Sequence, residues 1–218
     1  MNYRDIQDML QEGEGFQLEF KRRGTTPEKI ARALIGFANT KGGTILFGVN
    51  DDHSVAGVES EKSEVELIHN AGSFYCDPPI EPEIEIVSYK GKDVIVVTVN
   101  ESTQKPHIYT GEDGENGKSE NRVFIRVNDK TVAASKEVVR ILRAENPDSP
   151  PLRFAIGESE RRLFDFLEEH ERITVKQFSH LVNVSHRRAS RILIQLVRAG
   201  VLRIHTHEKE DFYTKAFD

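Results

Sequence analysis

A single cysteine, Cys76, stands in 218 residues, which excludes an intramolecular disulfide and a metal cage built from thiolates alone. No apolar run approaches the roughly 18 residues that a membrane-crossing helix needs. The opening segment M-N-Y-R-D-I-Q-D-M-L carries acids where a secretory signal would have its apolar core, so a cytoplasmic protein is expected. Gly42-Gly43 is not followed by the Gly-Lys-Ser/Thr that a phosphate loop needs. What the chain has in plenty is charge: 30% of its residues are charged against 37% apolar, and the formal net charge is −6. Such a chain repels polyanions as a whole, so any nucleic-acid binding requires its cations to be gathered locally. They are gathered at Lys21-Arg22-Arg23, and again at His186-Arg187-Arg188 with Arg191 and Arg198.

The stretch A-E-N-P-D-S-P-P, Ala144 to Pro151, has linker composition, and it divides the expectation into a domain over 1–144, a linker over 145–156 and a second domain over 157–218. The first reads as α+β with a mixed or antiparallel sheet. A short helix from Tyr3 to Gln11 is stopped by Gly13. A helix then starts at Thr26-Pro27, with Thr26 as N-cap, and the apolar run T-I-L-F-G-V-N marks a strand inside a sheet. After a helix near Glu61 to Ala71, I-E-P-E-I-E-I-V-S-Y and D-V-I-V-V-T-V form a hairpin about Lys90-Gly91-Lys92. The polar loop T-G-E-D-G-E-N-G-K-S-E-N leads to the strand R-V-F-I-R-V, and Ser135 caps a helix to about Arg143.

Beyond the linker come three helices, Glu158 to His170, one capped by Thr174, and one capped by Ser185 and stopped by Gly200, followed by two short strands. That order predicts a winged helix-turn-helix. With Ile192, Leu193, Leu196 and Val197 inward, the third helix turns Arg187, Arg188, Arg191 and Arg198 outward, with Ser190 and Gln195 among them, and it contains no acid. Guanidiniums can hold phosphates or guanine edges bidentately, and Gln195 can address adenine. Lys209, His205 and His207 would lie in the wing. The same surface would also serve a protein-contact module with solvated arginines.

The stretch E-G-F-Q-L-E-F-K, Glu14 to Lys21, alternates as a strand with Phe16, Leu18 and Phe20 inward. Its two carboxylates, five positions apart ahead of Lys-Arg-Arg, suit either a solvated edge strand or a site. Together with G-F-A-N-T-K-G-G-T-I-L-F-G-V-N-D-D, P-P-I-E-P, S-T-Q-K-P-H and V-F-I-R-V-N-D-K-T-V-A-A-S, this region resembles the Schlafen-type AlbA domain from about Gly13 to Arg143. Bacterial members of that family join one such domain to a winged helix and are described as transcriptional regulators. Animal members are similar to metal-dependent ribonucleases that act on transfer RNA with three carboxylates. That resemblance implies Glu14, Glu19 and Asp51 as the acids, although Asn50-Asp51 stands here where the family has an acidic pair.

Converging carboxylates would hold Mg2+ or Mn2+ for phosphate displacement. Lys21 and Arg22 would anchor a flanking phosphate, Arg23 extends the run, and Lys105 and His107 suit phosphate binding as well. The expectations are therefore a DNA-binding regulator, a metal-dependent nuclease acting on tRNA or other nucleic acid, or a protein-interaction module. A homodimer is reasonable for a reader of pseudo-palindromic duplex sites.

Overall fold

The computed structural model describes residues 3–111, 123–146, 152, 156–207 and 210–216. The chain divides into two compact units, Met1–Ala134 and Ser135–Asp218. The first contains α1 (Tyr3–Glu12), β1 (Leu18–Lys21), α2 (Pro27–Ala38), β2 (Gly43–Phe47), α3 (Glu61–Phe74), β3 (Cys76–Asp77), β4 (Glu83–Tyr89), β5 (Lys92–Val99), β6 (Ile108–Tyr109), β7 (Phe124–Val127) and β8 (Lys130–Ala133). The second contains α4 (Lys136–Glu145), α5 (Glu158–Glu169), α6 (Val175–Leu181), α7 (His186–Arg198), β9 (Leu202–His205) and β10 (Phe212–Lys215).

A four-stranded mixed sheet in the order β1-β2-β5-β4 organises the first unit. Strands β1 and β2 run parallel, and β5 is antiparallel to both β2 and β4. Alternation along the strands gives the sheet two apolar faces. On one, Ile6 of α1 meets Leu18, Phe20, Leu46, Val94 and Val96. On the other, Ile45, Phe47, Ile95 and Val97 pack against Leu34 and Phe37 of α2 and Ile68 of α3. Burial on both faces is why β2 and β5 read as nearly continuous apolar runs. Thr26 caps α2, with Pro27 in its first turn, and Ser60 caps α3. Left-handed Lys90 and Gly91 (φ 51° and 75°) close the β4–β5 hairpin. Two further antiparallel ladders, β3–β6 and β7–β8, complete the unit.

The opening strand is shorter than its alternation suggests. Gly13 ends α1 at φ 79°, and the Gly15 N–H returns to the Leu18 carbonyl at 2.9 Å. The chain thus folds back before β1 begins, and Phe16 is left 40% exposed instead of entering the core.

In the second unit, Thr174 with Gln177 forms a capping box on α6, and Ser185 caps α7. Asn183 at φ 51° makes the tight turn between them, and the Ser179 hydroxyl donates to the Val184 carbonyl across it at 2.7 Å. Leu163, Leu167, Phe178, Ala189, Leu193, Leu196 and Tyr213 share the core. Ile173, between α5 and α6, exchanges both backbone hydrogen bonds with Tyr213, so this segment lies alongside the antiparallel β9–β10 ladder.

Helix α4 belongs to this second unit, and the boundary therefore falls at Ala134/Ser135, earlier than the proline-rich stretch. The cause is local. Ser135 accepts from the Val138 N–H as N-cap and donates to Asp211 at 2.5 Å, while Glu137 and Arg140 both bond Ser190 of α7. The proline-rich stretch 147–151 and residues 112–122, read from the sequence as a polar loop, lie outside the described residues.

Candidate functional site

Strand β1 is an edge strand, and Glu14 and Glu19 serve it in different ways. Gln17 and Lys21 accept at their carbonyls from the N–H groups of Thr44, inside β2, and Gly48, just past its end, so Phe20, out of phase with both, turns its N–H to the open edge. The Glu14 carboxylate accepts that N–H at 2.8 Å. On this open edge the carboxylate satisfies a donor that another chain could pair with.

Glu19 points the other way, onto the α2 side of the sheet. One carboxylate oxygen pairs with Lys21 at 2.5 Å and the other with Arg126. Arg126 is 2% exposed. Its guanidinium also donates to the Gly15 carbonyl at 2.7 Å, the Asp129 carbonyl at 2.9 Å and Thr131 at 3.0 Å, and it stacks 4.6 Å from the centre of the Phe37 ring. The sequence does not betray this anchor, because Arg126 in R-V-F-I-R-V reads as an outward residue of a strand. The signal the sequence offers is that Arg126 shares a face, at alternate spacing, with Phe124, which packs against the core.

Asp51 is exposed in the turn after β2. Its neighbours make the turn: the Ser54 N–H and hydroxyl both bond the Asp52 carboxylate, at 2.9 and 2.5 Å, and the hydroxyl contact holds that carboxyl below its ordinary range. Asn50 bonds the Ser54 hydroxyl at 2.9 Å. Among the described residues no three His, Cys, Asp or Glu side chains are gathered so as to hold a metal ion. Glu14, Glu19 and Asp51 do not fit a divalent cation in this arrangement, because Glu19 is committed to two cations of its own and Glu14 to a backbone amide.

Lys105 and His107 are buried, 6% and 3% exposed, rather than placed to meet phosphate. The Lys105 ammonium bonds Glu101 at 2.7 Å and the Thr40 carbonyl at 3.3 Å, and it holds the Glu101 carboxyl below its usual range. His107 donates from Nδ1 to the Pro78 carbonyl and accepts at Nε2 from the Ser102 hydroxyl, both at 2.7 Å. Asn39, itself 2% exposed, accepts the His107 N–H and donates to the His107 and Phe124 carbonyls. The motif F-A-N-T-K is thus a hub that joins α2 to the loop before β6 and to β7. Burial also pushes the Cys76 thiol up to about 12, far from nucleophilic.

Each unit has a cleft lined by its clustered cations. In the first unit, Lys21, Arg22 and Arg23 line a cleft of about 530 Å³ at the carboxyl end of β1, together with Ala56–Glu59 and Glu64. Glu64 there accepts the Gly24 N–H at 2.8 Å. In the second unit, Arg187, Arg191, Gln195 and Arg198 of α7 line a groove of about 340 Å³ with Arg140 of α4. Arg187, Arg188, Arg191 and Arg198 are exposed, as expected. Ser190 is not: it is 1% exposed, covered by α4, donating to Glu137 at 2.7 Å and accepting from Arg140 at 2.9 Å. His205 stacks on Phe212, and Lys209 lies outside the described residues.

No helix among the described residues is long and apolar enough to cross a membrane. Comparison with curated protein sequences gives no match. Among solved structures, the DIP2311 protein from Corynebacterium diphtheriae is similar at 16% identity and a TM-score of 0.47, over 63% of this chain and 25% of that one. The N-terminal domain of a protein from Nitrosomonas europaea, described as related to the ATP-dependent DNA helicase RecG, is similar at 23% identity and a TM-score of 0.44, over 56% of this chain and 89% of that domain. The chain thus spans about a quarter of the length of the first of these. The family model of the Schlafen AlbA_2 domain matches residues 14–135, more than half of the sequence, and the chain belongs to that family.

Proposed function

We propose that the protein binds nucleic acid through its second unit, in which α5, α6, α7 and the β9–β10 ladder act as a winged helix-turn-helix on duplex DNA, and that it regulates transcription. The observation that carries this reading is the make-up of α7: a helix with exposed arginines, no acidic residue, and Arg187 and Arg188 in its first turn. Cations at a helix N-terminus oppose the macrodipole and cost about 0.3–1 kcal/mol each. Residues that work against their own helix make sense where a phosphate compensates them, and the unsatisfied N–H groups of the same terminus favour the same ligand. The family membership supports an association with nucleic acid in the same sense.

The test is fluorescence anisotropy of the full chain on labelled duplexes across a salt series. Affinity is expected to fall steeply and linearly in log salt as counterions return to the phosphates. Arg188→Ala, on the outward side of α7, is expected to weaken binding about tenfold, the scale of one lost charged contact. Binding that ignores salt and survives that substitution rules the reading out.

A further inference from the structure

Helix α4 lies outside the three helices of a winged unit, yet it packs along α7 and turns one flank of that helix into a groove. Arg140 reaches in from α4 opposite Arg187, Arg191 and Arg198, and the wall between them includes Ile194 and Gln195. We propose that this groove is a phosphate clamp for the backbone of a nucleic-acid strand, contributed jointly by α4 and α7. The proposal rests on the second unit binding nucleic acid and adds where the strand's backbone is held.

Four arginines line about 340 Å³, a concentration of positive charge that favours an anion between them. The nearby carboxylate, Glu137, stands 3.9 Å from Arg140 and accepts the Ser190 hydroxyl at 2.7 Å. It positions the groove's floor and leaves the charge in the groove positive. Ser190 in turn accepts from Arg140 at 2.9 Å, which orients a planar five-donor fork whose side chain remains 45% exposed. The clamp is therefore pre-organised on the α4 side. Its length selects the ligand: eleven residues separate Arg187 from Arg198, and at 1.5 Å per residue they span about 16 Å of helix. Phosphates on one strand advance about 3.4 Å along a duplex, so the arginine row matches a run of phosphodiesters and is far too long for a single phosphate or a mononucleotide.

The experiment compares the full-length protein with Arg140→Gln and Arg187→Gln, and with Arg188→Ala as a residue outside the groove, on two duplexes of unrelated sequence. Each groove variant is expected to weaken both complexes about equally and to reduce the salt slope by about one. The advantage of the unaltered protein then shrinks about threefold between about 50 mM and about 200 mM salt. Unchanged affinity and slope in both groove variants, with Arg188→Ala still weakened, would overturn the clamp and leave the function of the second unit standing. No effect from any of the three would overturn both. If thermal melting shows that Arg140→Gln unfolds the unit, Arg187→Gln decides, since Arg187 is an exposed residue at the start of α7.

Discussion

At the scale of single residues, His107 shows how a polar motif can be structural. The Pro78 carbonyl can only accept, so Nδ1 carries the proton. Nε2 then accepts from Ser102, whose own oxygen accepts the Gln104 N–H. Burial lowers the imidazole pKa below its ordinary 6.5, and the Pro78 carbonyl only partly opposes this. The sign follows: below about 6.5 the unfolded chain takes up a proton that the folded imidazole refuses, so stability falls as pH drops through that value towards the folded pKa, and it is fully present above it. Urea unfolding at a series of pH values is expected to show this slope between about pH 7 and about pH 5, and His107→Gln is expected to flatten it. Equal slopes in both proteins would show that His107 is not held neutral. None of this was legible in K-P-H, because the groups that bury it, Asn39 and Pro78, lie far away in sequence and a short polar segment has no periodicity to betray its inward face.

At the scale of elements, local chemistry was legible and allegiance was not. Thr26, Ser135, Thr174 and Ser185 cap helices where their positions suggest, because a cap is a matter of adjacent residues. The start of β1 is hidden in the sequence, since the alternation of Phe16 with Leu18 and Phe20 continues through a turn set by Gly13 and Gly15. The prolines after α4 suggest that it closes the first unit, whereas Ser190 and Asp211, fifty or more residues on, hold it in the second. Arg126 is the corresponding long-range tie in the first unit: it joins the loop before β1, Glu19 in β1, the β7–β8 turn and the Phe37 ring of α2. Arg126→Met keeps most of the apolar contact with Phe37 but leaves Glu19, its side chain 14% exposed, with Lys21 as its remaining partner. It also strands the Gly15 and Asp129 carbonyls. Breaking one side of a buried pair costs about 3 kcal/mol or more, so chemical denaturation is expected to show a loss of that order. A loss under about 1 kcal/mol would place the pair among ordinary surface ion pairs.

At the scale of the whole molecule, the charge is divided unequally. The first unit carries 15 Lys and Arg against 23 Asp and Glu, the second 15 against 13, so the chain's negative charge resides in the first unit and the second is weakly positive. The two clefts differ in the same direction. Beside Lys21, Arg22 and Arg23 stand Glu59 and Glu64 in the cleft itself, and Glu19 holds the Lys21 ammonium. The α4–α7 groove has arginines and one glutamine as its polar lining. A polyanion approaching within a Debye length, about 8 Å at physiological salt, is drawn to the second surface and gains little at the first. Arg22→Gln combined with Arg23→Gln is therefore expected to change duplex affinity by less than about threefold, the salt-dependent share of a single phosphate contact, where Arg188→Ala costs about tenfold. The contrast is read in one titration series at fixed salt. If the Arg22/Arg23 pair proves the more damaging, the strand docks on the cleft at the end of β1, and the net repulsion of that unit is overcome by contacts its charge balance does not reveal.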